Sequence, residues 1–373
     1  MDNPIPEAVK DIKIMNVNEV EAVAATVDFV FSAVDMTKEE IKAIEEAYAK
    51  TETPVVSNNS AHRWTEDVPM VIPEINPEHF EVIEAQKKRL GTTRGFIAVK
   101  PNCSIQSYVP ALNAWKEFEP YECVITTYQA ISGAGKDFNS WPEMVANIIP
   151  YIGGEEEKSE LEPLRIWGHV DMENGVIAPA VEPKITCQCL RVPVLNGHTA
   201  AAFVKFRKQP TKEQLIEKLV NYKGFPQEAD LPLAPKQFIE YFEEDNRPQA
   251  ALDRDIYGGM GITAGRLRED KLFDYKFVGL SHNTLRGAAG GAAGGSTSML
   301  IMMAALFGIM YFMMIRPQKK KQKEEQAMRD NLQSGDEITT IGGIIGRIVT
   351  VKDDTIVIET GADRNHIKIT RWA

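Results

Sequence analysis

A run of small residues, Gly287-Ala288-Ala289-Gly290-Gly291-Ala292-Ala293-Gly294-Gly295-Ser296, divides this chain into two stretches of unlike composition. It repeats itself internally and reads as a flexible linker. Beyond it, Met299 to Ile315 holds seventeen residues without a charge. At about 1.5 Å of rise per residue, that length is near the lower limit for a helix crossing a bilayer, with a buried core helix as the alternative. Five positive charges follow within Arg316 to Lys323, a pattern that places the C-terminal side in the cytoplasm. A charged, helical stretch then leads to short alternating strands, so 299–315 is expected to be a transmembrane helix, 316–333 a basic segment and 334–373 a small β-rich domain.

The upstream stretch has the length and apolar content for ordinary cores, and the whole 373-residue chain is 43% hydrophobic and 25% charged. A formal net charge of −11 excludes a general nucleic-acid binder. Four cysteines, Cys103, Cys123, Cys187 and Cys189, are too few for a disulfide framework. Cys187-Gln188-Cys189 lacks the wider spacing of zinc-ligand pairs, so both read as buried thiols. Polar residues follow Met1, so no secretory signal is expected.

Val27 to Val34 and Pro54 to Ser57 have the apolar character of buried parallel strands, and Thr37 to Lys50 is a helix opened by an N-cap threonine. A dinucleotide-binding fold also needs a glycine-rich turn at a helix N-terminus, and none lies in this region. Gly258-Gly259-Met260-Gly261 sits between strand-like runs and reads as a bulge or a tight turn. Residues 1–63 are therefore expected to be the remnant of a nucleotide-binding domain truncated at its N-terminus, with an impaired cofactor site. Further on, Glu122 to Ile131 and Ala200 to Phe206 read as strands, and Thr211 to Tyr222 and Pro235 to Glu244 as helices.

The candidate nucleophile is Cys103, in Pro101-Asn102-Cys103-Ser104, directly after the strand-like Gly95 to Val99. A helix expected from Ile105 to Phe118 would lower the pKa of a thiol at its N-terminus. By itself a lone cysteine is more often core than catalyst. His198, in Asn196-Gly197-His198-Thr199, has an ordinary pKa close to working pH, which suits an acid/base partner.

These motifs occur in order with Ser57-Asn58-Asn59-Ser60-Ala61-His62-Arg63, Gln129 to Gly135 and Asn283 to Gly290. Together they resemble the aspartate-semialdehyde dehydrogenase family, in its archaeal and fungal-like branch, over about residues 10–290. The resemblance implies an α/β plus α+β architecture: a partial Rossmann-type unit, then a catalytic and dimerisation domain over 64–280 like that of glyceraldehyde-3-phosphate dehydrogenase. Residues 281–298 would end the dehydrogenase and form the linker.

It also implies NADP-dependent, reversible phosphorylating oxidation of aspartate 4-semialdehyde to 4-aspartyl phosphate, in the biosynthesis of lysine, threonine and methionine. Cys103 would attack the aldehyde and form a thioester, His198 would move protons and Gln129 would orient the thioester. Arg191 would hold the substrate carboxylate. Glu155 and Lys158 match the pair that binds the amino group and phosphate, and Arg63 and Asn102 complete the substrate site. Ser57, Asn58, Ser132, Gly133, Gly135 and Asn283 would face the cofactor. A cytoplasmic homodimer or homotetramer is expected.

From Gly294 onward the chain resembles YajC, the accessory membrane subunit of the bacterial Sec translocon, with Tyr311 to Gln318 and Thr340-Ile341-Gly342-Gly343 carrying the likeness. That family is non-enzymatic and would bind other translocon membrane subunits in the inner membrane. The two resemblances conflict physically. One span puts its flanks on opposite sides of a membrane, whereas NADP, reduced thiols and the lysine cluster all call for the cytoplasm. A fusion of unrelated products, an artefact of sequence assembly and a tethered two-function enzyme whose span does or does not insert all remain open readings.

Overall fold

The computed structural model describes residues 9–231, 234–288, 333–339, 345–352, 355–360 and 365–370. It divides into two units, Met1–Met302 and Met303–Ala373.

The first unit opens with a three-stranded parallel sheet, β1 (Val30–Ser32), β2 (Val55–Ser57) and β3 (Ile97–Val99), in that order. A short helix, α1 (Val20–Ala24), packs on α2 (Lys38–Lys50), which makes the crossover from β1 to β2. The expected N-cap is present: the Thr37 hydroxyl accepts the Glu40 N–H, and the Glu40 carboxylate accepts the Thr37 N–H. Ile41, Tyr48 and Ala49 then fall on one face at helical spacing and are buried. After α3 (Ile83–Leu90), β3 ends three residues before Asn102.

The helix expected over Ile105 to Phe118 is three pieces: a 3₁₀ turn Ser104–Ser107, the helix α4 (Val109–Ala114) and a second 3₁₀ turn Lys116–Phe118. Proline at residue 110 supplies no N–H to a helix begun upstream, so the regular ladder starts afresh at Val109.

The chain continues through β4 (Pro120–Gln129), α5 (Glu155–Ile166), a ribbon of β5 (His169–Asp171) and β6 (Val176–Ala178), β7 (Lys184–Arg191), β8 (His198–Phe206), α6 (Lys212–Val220), α7 (Phe225–Glu228), β9 (Ile239–Phe242), α8 (Ala250–Asp253), β10 (Ile262–Glu269) and β11 (Tyr275–Ser281). Six of these strands form one sheet in the order β7-β4-β8-β11-β10-β9. Its inner pairings are antiparallel, while β7/β4 and β10/β9 are parallel. The side chains of β8 alternate strictly between buried and half-buried, so one face meets the core around Trp115, Phe206 and Phe277.

The helix expected over Pro235 to Glu244 is instead the edge strand β9. Phe238 and Ile239 are fully buried, and pairing of β9 with Ile262–Gly265 of β10 overrides the charged spacing that suggested a helix. Tyr257, Gly258 and Gly259 all have positive φ, in keeping with a tight turn at the glycine cluster.

In the second unit, β12 (Glu337–Thr339), β13 (Ile345–Val351), β14 (Thr355–Thr360) and β15 (Asn365–Thr370) form an antiparallel sheet in sequence order. Ile348, Ile356 and Ile358 make its small core. The expected span at 299–315, the basic segment up to 332 and the 340–343 turn lie outside the described residues. Among the described residues no helix is long and apolar enough to cross a membrane.

Candidate active site

Strand ends assemble the site. Gln129 closes β4, Arg191 closes the parallel β7 in register with it, and His198 opens β8, next to the Thr199 that pairs with Tyr128. At this end of the sheet the Cys103 Sγ lies 3.3 Å from His198 Nε2. His198 Nδ1 accepts the Ala130 N–H at 3.0 Å, which leaves the neutral ring's proton on Nε2, facing the sulfur. The neutral imidazole therefore donates to the sulfur, an interaction that opposes the cost of burying a thiolate there.

Burial decides the electrostatics of both groups. His198 is fully buried, and burial followed by the charges of Arg191, His282 and Lys100 pulls its pKa down to about 3. The expectation of a histidine titrating near working pH is thus corrected for the free site. Burial also pushes the half-buried Cys103 thiol up, although Lys100, Arg63 and Arg191 partly offset it. Only a four-residue 3₁₀ turn follows the cysteine, too short to supply the dipole that the sequence reading assigned to it.

Glu155, on the first turn of α5, is the hub of the polar cluster. Asn102 Nδ2 donates to both its oxygens at 3.0 and 2.8 Å, Lys158 Nζ donates at 2.8 Å and Gln129 Nε2 at 3.3 Å. Burial alone would raise its pKa, but bonds from Lys158, Asn102 and Gln129 hold it below the usual value. The three adjacent glutamates differ in their partners. Glu156 accepts the Cys189 N–H, while Glu155 faces the site. Arg191 is buried, with Nη1 donating to the Ala130 carbonyl at 2.6 Å.

Arg63 is engaged rather than free. Its Nη1 pairs with buried Glu162 at 2.9 Å and its Nε donates to the Lys100 carbonyl at 3.0 Å. Glu162 also accepts the Asn102 N–H at 2.5 Å, so the pair fixes the loop that carries Cys103.

Asn283 bridges the walls of the pocket, donating to Ser132 Oγ at 2.9 Å and accepting the Gly197 N–H at 2.8 Å. Two glycines make the crowding possible. A Cβ at Gly287 would lie 2.6 Å from the Cys103 Cβ, and one at Gly133 would lie 2.9 Å from Arg191 Nη1 and 3.1 Å from His198 Cε1. Gly135 closes the same loop with φ +69° and nothing near its missing Cβ.

The remaining cofactor candidates stand at the C-terminal end of the parallel sheet, where such sheets bind ligands. There the Ser57 hydroxyl donates to Glu45 at 2.6 Å, and the Asn58 N–H donates to the Ser32 carbonyl. At the N-terminus of α2 the Thr37 capping box takes up the Glu40 N–H, and no glycine precedes the helix there. The described residues therefore fit the reacting end of a nicotinamide cofactor better than its pyrophosphate.

Sequence reasoning missed Lys100, Glu162 and Gly287 as parts of the site. Lys100 follows β3, and burial lowers its pKa to about 8, against the opposing influence of Cys103, Glu162 and Glu155. A lysine directly after a buried strand and before Pro-Asn-Cys was the available signal. Cys187 and Cys189 are buried, with Sγ atoms 3.8 Å apart. Among the described residues no group of three His, Cys, Asp or Glu side chains suits a metal.

The aspartate-semialdehyde dehydrogenase of Methanothermobacter thermautotrophicus is 39% identical to this chain over 295 residues, covering 78% of the chain and 82% of the relative. That of Candida albicans is also 39% identical, over 297 residues, covering 77% and 80%. The chain belongs to the aspartate-semialdehyde dehydrogenase family. It is an oxidoreductase sequence with the family's order of parts: residues 1–83 match the semialdehyde dehydrogenase NAD binding domain and residues 113–286 the dimerisation domain.

The crystal structure of the Candida albicans family member with NADP superposes with a TM-score of 0.71 at 34% identity, covering 83% of this chain and 85% of that one. A Vibrio cholerae structure of the family shares the fold at a TM-score of 0.58 and 22% identity, covering 78% of this chain and 82% of that one. Residues 300–373 match the YajC preprotein translocase subunit family.

Proposed function

We propose that Met1–Met302 catalyses the reversible phosphorylating oxidation of aspartate 4-semialdehyde through a thioester on Cys103, with NADP as cofactor. The observation that carries this reading is the 3.3 Å contact between Cys103 Sγ and the Nε2 of a tautomerically fixed His198, beside Arg191 and Glu155. When bound, NADP supplies a hydride acceptor; every other role falls to side chains of this chain.

Arg191 pairs with the substrate carboxylate and Glu155 with its ammonium, so the aldehyde carbon faces the sulfur. Attack by the thiolate on the aldehyde gives a tetrahedral oxyanion that accepts a hydrogen bond from His198 Nε2–H, and loss of its hydride to the cofactor would leave the thioester. The arriving carboxylate offsets the charge of Arg191, one cause of the low His198 pKa, and so raises the histidine toward a useful range. Gln129 and Asn102 steady the thioester oxygen and Glu155. Lys158, one-third exposed, swings from Glu155 to the incoming phosphate, which displaces the thiolate as 4-aspartyl phosphate forms. Arg63 keeps the Cys103 loop in place through Glu162 and, with Lys100, gives the phosphate a positive surround.

The match to a dimerisation domain and the half-buried outer face of β8 support a homodimer. The four free cysteines suit a reducing cytoplasm. Mixing the full chain with NADP, phosphate and aspartate 4-semialdehyde should give NADPH only when phosphate is present. Phosphate-independent turnover would rule out the acyl-phosphate step.

A second, non-catalytic role has its own support in the C-terminal unit, whose residues 300–373 match a translocase subunit. That part would bind Sec membrane subunits through contacts that need none of the residues above. Co-purification of the full chain with Sec translocon membrane subunits, lost on deleting 300–373, tests it.

A further inference from the structure

Arg286 stands in the motif from Asn283 to Gly290 and has no part in the chemistry above, yet its side chain is only 6% exposed and makes three hydrogen bonds. Nη1 and Nη2 donate to the two oxygens of buried Glu74 at 2.8 and 2.5 Å, and Nε donates to Gln106 Oε1 at 3.2 Å. The guanidinium also lies 4.7 Å from the centre of the buried Phe238 ring. Glu74 is itself fixed, because the Tyr222 hydroxyl donates to its carbonyl at 2.6 Å. These bonds join two segments that close around the nucleophile. Gln106 belongs to the 3₁₀ turn Ser104–Ser107 that follows Cys103, and that turn sits so tightly on β11 that a Cβ at Gly279 would lie 1.9 Å from the Ser107 carbonyl oxygen. Arg286 follows β11, in a turn closed by the Gly287 N–H donating to the His282 carbonyl at 2.8 Å. From this turn Gly287 abuts the Cys103 Cβ, while Asn283 accepts the Gly197 N–H beside His198. One turn thus touches both sides of the Cys103–His198 contact. His282 Nε2 lies 3.4 Å from Asp255, but that carboxylate is 62% exposed, so the buried ionic anchor of the turn is Arg286.

We infer that Arg286 is a positioning residue for the thioester chemistry: its fork to Glu74 and Gln106 holds Gly287 against Cys103 and so keeps the sulfur turned toward His198 Nε2. The inference rests on reading Cys103 as the nucleophile. A cysteine side chain has three staggered χ1 wells, and a hydrogen bond to sulfur is too weak to select one alone. The wall at Gly287 makes that selection. A shift of the wall by about 1 Å would let the sulfur leave the Nε2–H donor, and misplacement on that scale can cost about 10²-fold in rate. Lysine could not replace the arginine, since a point charge cannot bridge both Glu74 oxygens and Gln106 in fixed directions. Removing one member of a buried ion pair also destabilises a protein, whereas replacing both by apolar side chains of similar volume is often neutral, and this difference separates positioning from stability.

The probe is iodoacetamide, applied to the full chain across a pH range; it reports on Cys103 without cofactor or turnover, because Cys123, Cys187 and Cys189 are buried. The double variant Glu74→Met with Arg286→Met should unfold at a denaturant midpoint close to the native one. Its Cys103 should nonetheless show an upward-shifted pH midpoint of alkylation and react roughly tenfold more slowly at pH 7, because the thiolate no longer keeps its donor. Gln106→Met retains the ion pair and loses only the link to the turn after Cys103, so a smaller shift in the same direction is expected. A native midpoint in both variants would overturn the inference and leave Arg286 a purely structural ion pair. Should the double variant fail to fold, a native midpoint in Gln106→Met overturns it alone. Failure of the underlying reading looks different: peptide mapping would find the label on another residue, or Cys103→Ala would be labelled as fast as the native chain.

Discussion

The two sheets of the dehydrogenase unit are finished to different degrees. Around the end of the six-stranded sheet, the polar groups of the site are paired: Glu155 has Asn102, Lys158 and Gln129, Arg63 has Glu162, and Asn283 ties Ser132 to Gly197. Among the described residues the three-stranded sheet instead pairs β1 with β2 alone and leaves one oxygen of Glu45 unpartnered. The candidate groups around Cys103 are thus preorganised by their neighbours, whereas the three-stranded end is less fully paired among the described residues. Substitutions at the six-stranded end should mainly alter chemistry, and those at the three-stranded end should mainly alter stability and cofactor affinity.

The largest effect is expected from Cys103→Ala. Turnover should vanish, and so should rapid labelling of the native protein by a thiol-directed electrophile, because Cys123, Cys187 and Cys189 are buried. Burial also raises the Cys123 pKa to about 12, which keeps that thiol unreactive. Retained turnover with unchanged labelling would move the nucleophile elsewhere.

His198→Asn and Arg191→Leu come next and should split. Without His198 Nε2, kcat should fall by about 10² to 10⁴ and its pH profile should change. Loss of the Arg191 guanidinium should raise KM for the semialdehyde, since a charge-assisted bond is worth about 1.5–3 kcal/mol. His198 carries a sign check as well. Its folded pKa of about 3 lies below its ordinary 6.5, so the unfolded chain takes up the proton first. Stability should therefore fall as pH drops below about 6.5 in the native protein, and fall less steeply in His198→Asn. Chemical denaturation at pH 7 and pH 5 measures the difference, and identical slopes would contradict the buried neutral histidine.

Much of this arrangement was legible from residue types in order. Pro101-Asn102-Cys103-Ser104, Arg191 and Asn196-Gly197-His198 each name a chemistry, and the Thr37 cap announced α2. What escaped was whatever depends on three-dimensional surroundings. The Cys103 and His198 pKa shifts come from desolvation, which no spacing reveals. The Arg63–Glu162 pair joins residues 99 positions apart. The segment 235–244 had helical charge spacing but became a strand because β10 offered it a partner. Sequence order named the candidate groups; burial set how strongly they titrate.

Lys100→Met should have a moderate effect that falls on the nucleophile rather than on substrate binding. The lysine cation is the largest influence opposing the burial of Cys103, so its removal should shift the pH midpoint of Cys103 alkylation upward. Lys100 itself is held at about 8, below its ordinary 10.5, so the unfolded chain binds the extra proton between those values. Native stability should accordingly rise with pH across that window, and the methionine variant should lack the slope. An unchanged alkylation profile would show that the lysine does not act on the thiol.

Ser57→Ala tests the three-stranded end, where the smallest catalytic effect is expected. By likeness to the family Ser57 faces the cofactor, yet its side chain is fully buried and its hydroxyl donates to Glu45 at 2.6 Å. Alanine would leave Glu45 Oε1 with only the longer 3.2 Å bond from Asn59, beside an Oε2 that already lacks a donor. A buried acceptor deprived of a donor costs about 1–3 kcal/mol, so the variant should unfold at lower denaturant concentration. The affinity for NADPH should change less than twofold, because the hydroxyl is already committed within the protein. A loss of NADPH affinity of roughly tenfold at unchanged stability would give Ser57 to the ligand and make it part of the cofactor site.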